Sequence, residues 1–171
     1  MYDFLKNATS PKVIAEASKL MGTKEIVGAK HNSVILDWAD DLGLRKIYTN
    51  DEIPWCGLFV AFVVKEAGFD VVDKPLWALS WSNWGDAVTT PMFGDILTFK
   101  RNGGGHVGFY VGEDDKCYHV LGGNQSNTVS VMRLEKTRLH KARRCKWKIA
   151  QPEAVKVVKL SPKGVISTNE A

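Results

Sequence analysis

A chain of 171 residues is long enough to close one hydrophobic core without a staple. With 44% hydrophobic and 25% charged residues it has the make-up of an ordinary globular domain, which excludes a fibrous or low-complexity chain. The net charge is only +4, and the three cysteines, an odd number with no short metal-like spacing, exclude a disulfide scaffold and fit a thiol kept free.

The opening Met1-Tyr2-Asp3-Phe4-Leu5-Lys6 has no basic stretch followed by a long apolar one. No run approaches the ~18 apolar residues of a membrane span. The expectation is a monomer made in the cytoplasm without a signal peptide, reaching any outside target only when another factor releases it. Ser10-Pro11 reads as a helix start before Val13, Ile14, Ala17 and Leu20, with Gly22 as the stop. Asn32-Ser33 caps a second short helix carrying Val34, Ile35, Trp38 and Leu42, closed by Gly43. Residues 45–55 form a loop. From Cys56 the chain is apolar nearly all round to Gly68, which predicts a buried helix. Residues 70–94 hold Pro75, Pro91, Gly85 and three tryptophans, a structured loop with one helical turn.

After Gly94-Asp95 the period becomes that of strands. Residues 96–99, 106–112, 117–121, 128–132 and 145–149 predict an antiparallel sheet, with a turn over Glu113–Lys116. Helices first and strands later make the class α+β. Residues 1–150 read as a single domain and 151–171 as a C-terminal tail, loose from about Ser161. Arg133, Lys136, Arg138, Lys141, Arg143, Arg144, Lys146 and Lys148 are opposed only by Glu135. That run is read either as a solvated face or as a surface for an anionic envelope.

Cys56 opens a buried helix, where free N–H groups and the helix dipole favour a thiolate, the reactive form. Most free cysteines are simply small buried hydrophobes, so a partner decides the matter. His106 opens a strand after Gly103-Gly104-Gly105 and supplies one, since Cys–His catalysis needs nearness in space and not in sequence. A third group should hold the imidazole's tautomer. A turn over Glu113–Lys116 sets His106 opposite Gly123 with Asn124 beside it; His119 is the rival, needing a tighter hairpin. Trp77, Trp81 and Trp84, spaced four and three, would share a helical face, as core or as a platform for sugar or peptide.

Pro54-Trp55-Cys56-Gly57-Leu58-Phe59-Val60, then Gly94-Asp95-Ile96-Leu97-Thr98-Phe99, then Gly105-His106-Val107-Gly108-Phe109-Tyr110-Val111-Gly112 resemble, in that order, the CHAP and NlpC-type families. These are papain-like cysteine amidases and endopeptidases of phage endolysins and bacterial wall hydrolases. The similarity spans about residues 50–148. It implies a papain-like fold, Cys56 as nucleophile and His106 as general base and acid. The CHAP branch maps its third residue best to Asn124, the NlpC branch to His119. NlpC-type members usually have Asp-Cys-Ser-Gly-Phe, whereas here Trp55 precedes Cys56 and Gly57 follows it.

The implied activity is bacteriolytic: cell-wall degradation by hydrolysis of a peptidoglycan amide or peptide bond through a thioester. The Cys56 N–H and a donor from the 51–55 loop would hold the oxyanion, and Trp55, Trp77, Trp81 and Trp84 would bind substrate. No cofactor or metal is expected, because His31, His106, His119 and His140 make no ligand spacing. Nothing resembles a nucleic-acid-binding signature. The alternatives are a cysteine-dependent antibacterial effector or protein-directed amidohydrolase, and a non-catalytic basic envelope-binding module.

Overall fold

The computed structural model describes residues 2–101, 103–147 and 150–167. Three α-helices come first: α1 (Lys12–Lys19), α2 (Ser33–Asp41) and α3 (Cys56–Glu66). Six strands follow: β1 (Asp86–Val88), β2 (Ile96–Arg101), β3 (Gly104–Glu113), β4 (Cys117–Gly122), β5 (Ser130–Glu135) and β6 (Leu139–Arg144). They form one sheet in the order β1-β6-β2-β3-β4-β5, antiparallel at every described pairing. The α+β class is therefore as expected.

Local chemistry explains most of the starts and stops. Asn32 caps α2, its Oδ1 accepting the Val34 N–H at 2.9 Å. Ser10 does not cap α1; its hydroxyl donates to Leu5 O, and Pro11 takes the cap position. In α3, Cys56, Gly57, Leu58, Phe59, Val60, Ala61, Val63 and Val64 are all buried, so the helix is a core element whose burial overrides the strand preference of its valines.

The sheet separates two clusters. Val107, Phe109 and Val111 of β3 face α3, with the Phe59 ring edge-on to Phe109 at 6.1 Å. Phe99, Tyr110, Val120, Leu134 and Ala142 make a second cluster on the other face. His106 pairs with Phe99 across β2 and β3, so the two-residue period puts it on that second face.

The last strand lies earlier than its expected 145–149, at Leu139–Arg144; Cys145–Trp147 leave the ladder, and Lys148 and Ile149 lie outside the described residues. The basic run hid this strand, because most of its charges are spent internally. Arg144 forks onto Asp95, Nε to Oδ1 and Nη2 to Oδ2 at 2.8 Å each. Arg143 donates to the carbonyls of Trp84 and Gly85. Arg133 holds Asp114 Oδ2 at 2.8 Å, Lys136 holds Glu113, and Arg138 donates to Ser167 O. Lys141 and Lys146 are exposed.

The C-terminal segment, expected to be loose from Ser161, is pinned through Ser167. Val158 O accepts from Glu113 N–H, Leu160 N–H donates back to Glu113 O, and Ser167 N–H reaches Arg133 O at 2.9 Å. Among the described residues no helix is long and apolar enough to cross a membrane.

Candidate active site

The Cys56 side of the site is built by the first turn of α3. Trp55 precedes the helix, fully buried, and its indole N–H donates to Glu25 Oε2 at 3.2 Å. Gly57 is dictated by crowding: a Cβ there would lie 2.5 Å from Pro75 O and 2.6 Å from Leu76 O. The 75–77 backbone therefore crosses directly over the helix start, which leaves Trp77 at the surface beside it, 71% exposed.

Cys56 is 5% exposed, and its thiol lies near the Val107 amide. Burial pushes this thiol up. The Val107 amide, the charge of Arg101 and the Gly57 and Cys56 amides pull the other way without prevailing. The helix start alone was expected to favour thiolate; desolvation outweighs it and favours the protonated form.

His106, the residue before Val107, is 1% exposed. Its Nε2 lies 3.0 Å from Gln125 Oε1. Gln125 cannot be turned round, because its Nε2 donates to Val120 O and Ser130 O. The oxygen facing His106 accepts, so His106 Nε2 carries a proton. Cys56 approaches from the helix side of β3 and His106 leaves from the other side. Both lie near the start of β3, Cys56 by Val107 and His106 against the end of β4, where a Cβ on Gly122 would lie 3.2 Å from its Nε2. Gly123 lets the following turn press on the helix start: a Cβ on it would lie 2.6 Å from Phe59 Cβ and 2.8 Å from the Trp55 ring.

The side chain at His106 Nε2 is thus that of Gln125, which the sequence reading did not single out, where Asn124 or His119 was expected. The β3–β4 register shifts between Tyr110 and Gly112, and the chain leaves the ladder after Gly122 in a turn with Asn124 at φ +53. Hairpin counting therefore stops one residue short. Asn124 is buried, and its Oδ1 has no hydrogen-bond partner. A buried acceptor in that state costs roughly 1–3 kcal/mol. His119 pairs opposite Gly112, roughly 20 Å down the strand from His106 at ~3.3 Å per residue. There it lies 2.9 Å from Asp114 Oδ2 and 2.7 Å from the Tyr2 hydroxyl.

Of the four tryptophans expected to bind substrate, Trp55 and Trp81 are fully buried and Trp84 is 8% exposed. Residues 78–83 form a 3-10 helix, so spacings of four and three do not align on one face. The Trp81 and Trp84 indoles instead anchor the loop, donating to Pro75 O and Asp70 O. Only Trp77 of the four presents its ring to solvent. Cys117 and Cys145 are buried free thiols, with Cys145 pushed up to about 12 by burial. Among the described residues no group of three or more His, Cys, Asp or Glu is arranged to hold a metal ion. The broader surface hollows flank the N-terminal segment, lined by Leu5 and Met21 on one side and by Phe4 and Phe93 on the other, and neither is lined by Cys56 or His106.

No protein-family model matches the chain, and no curated protein matches it.

Proposed function

We propose that this protein is a papain-like cysteine hydrolase that cuts an amide or peptide bond of bacterial peptidoglycan. One observation carries the reading: a cysteine at the start of a buried helix lies by the residue that follows a buried histidine, whose Nε2 is held by a glutamine oxygen. The preference for the wall as substrate rests on the order of the Cys56, Gly94-Asp95 and His106 motifs. The same machinery would serve a protein-directed amidohydrolase. Adhesion through the basic run is not favoured, since its arginines are committed to internal acceptors.

The chemistry follows from the two side chains. The Cys56 thiol passes its proton to His106 Nδ1, and the sulfur attacks the substrate carbonyl. The oxyanion is held by N–H groups at the start of α3, those of Cys56 and Gly57. The C–N bond breaks as His106 returns the proton to the leaving amine, giving a thioester. Water, deprotonated by His106, then releases the acid and restores the thiol. Gln125 keeps Nε2 protonated, so Nδ1 is the basic nitrogen throughout. Trp77 flanks the helix start as an aromatic wall for the substrate. The protein acts as a monomer, on the wall, after another factor releases it.

The test is mass spectrometry of purified peptidoglycan incubated with wild type and with Cys56→Ala. New amine ends or freed peptides produced only by wild type support the reading and identify the bond. Equal release by both, or none, refutes it for this substrate.

A further inference from the structure

We propose that Asn124 is a substrate-binding residue of this cleft, its carboxamide oxygen accepting an N–H of the substrate beside the bond that is cut. The inference rests on the cysteine-hydrolase reading and names what the site recognises: a ligand with an amide donor next to the attacked carbonyl.

Three observations converge on it. First, Asn124 is 7% exposed and its Oδ1 is a buried acceptor with no donor. Folded proteins rarely leave such a group unmatched, and one that persists needs a reason such as a ligand that completes it. Second, the two chain neighbours of Asn124 each pack on one half of the site. Gly123 on one side presses against Trp55 and Phe59 at the start of α3, and Gln125 on the other holds the His106 imidazole. Third, the loop is held under strain. Asn124, Ser126 and Asn127 have φ of +53, +52 and +57, a region side chains disfavour.

Neighbouring backbone fixes that conformation. Gln125 N–H donates to Thr128 O at 3.0 Å, Glu25 N–H to Asn127 O at 2.9 Å, and Val129 N–H to Thr23 O at 2.9 Å. A strained loop clamped from both sides, carrying one unmatched acceptor next to the residue that holds His106, is pre-organised for a donor. An amide substrate has N–H groups within a residue of its reacting carbonyl. A bare ester or thioester lacking them would leave the Asn124 oxygen unmatched.

Cys56 itself reports on this without knowledge of the natural substrate. Its modification rate in the full-length protein is followed by peptide mapping with two neutral probes. Iodoacetamide carries an amide N–H; methyl methanethiosulfonate carries none. Asn124→Gly removes the side chain and tolerates the positive φ, and Asn124→Asp keeps the acceptor while losing the donors.

The expected result is that Asn124→Gly slows iodoacetamide about tenfold, the scale of one hydrogen bond, relative to methyl methanethiosulfonate. Asn124→Asp keeps the wild-type ratio of the two rates. An unchanged ratio in Asn124→Gly overturns the proposal. So does an equal fall in both variants, which would mean that the amide donates. Wild-type Cys56 inert to both probes refutes the cysteine-hydrolase reading itself, whereas reactive Cys56 with an unaltered ratio refutes the Asn124 role alone.

Discussion

Replacing Gln125 with leucine separates positioning of the base from mere folding. The leucine fills similar volume but removes the acceptor of His106 Nε2–H and the donor to Val120 O and Ser130 O. Three hydrogen bonds at about 1 kcal/mol each give a loss near 3 kcal/mol. For a chain of this length that lowers Tm by roughly 6–12 °C, leaving the variant folded at 20 °C.

The kinetic effect is read from Cys56 alkylation against pH. If His106 accepts the thiol proton as proposed, wild type should show a limb of reactivity extending to neutral pH although burial pushes the free thiol up. In Gln125→Leu the imidazole loses its fixed tautomer and orientation. The neutral limb should fall by ten- to hundredfold, within the ~10²–10⁴ a general base contributes. The alkaline limb, where hydroxide ionises the thiol, should stay within about twofold of wild type, since no proton acceptor is then required. A purely structural role would depress both limbs together. A neutral limb unchanged in the folded variant refutes the assignment of Gln125, and with it the argument that Nδ1 is the basic nitrogen.

Arg144→Ala should lower stability by about 3–5 kcal/mol, because Asp95, 1% exposed, would be left as a buried charge without its partner; denaturant unfolding measures this, and a loss under 1 kcal/mol contradicts the ion-pair assignment. Asp114 is pushed up by burial but brought well below the usual carboxylate range by Arg133, His119 and the Lys116 and Cys117 amides. A carboxyl depressed in the folded state adds stability above its unfolded value near ~3.9, and that increment disappears as acid protonates it. Urea midpoints should therefore fall steeply below about pH 4 in wild type and less steeply in Asp114→Asn; parallel curves would refute the linkage. Trp77→Ala should leave Tm within about 2 °C because the ring is mostly solvated, yet raise KM for wall fragments; an unchanged KM removes Trp77 from the cleft.

The sequence made the buried α3 legible because its apolar run is unbroken and Gly68 stops it, and β2 to β4 because Ile96 to Phe99 and Val107 to Val111 switch to the period of strands. Cys56 and His106 could be singled out from their neighbours alone. Gln125 could not, since its place depends on a register shift near Val111 and a turn through left-handed Asn124, neither of which has a one-dimensional signature. The 139–144 strand was hidden for a different reason. Arginines look like solvent-facing charge until their acceptors are known, and those acceptors, Asp95, Trp84 and Gly85, are about fifty to sixty residues away. Trp81 and Trp84 misled in the same way: their spacing suggested a platform, but their indoles are anchors for carbonyls within a loop.

The Asp114 cluster draws both ends of the described chain to one spot. Tyr2 reaches it through His119, and Ser167 through Arg133. His106 lies at the opposite end of β3. A short linker could join the two ends into a closed ring, with a new opening cut in the exposed 28–30 segment, and the permuted chain should refold around an undisturbed site. The same geometry suits surface attachment: a bead or a fusion partner grafted near Tyr2 or Ser167 would sit at the end of β3 away from His106.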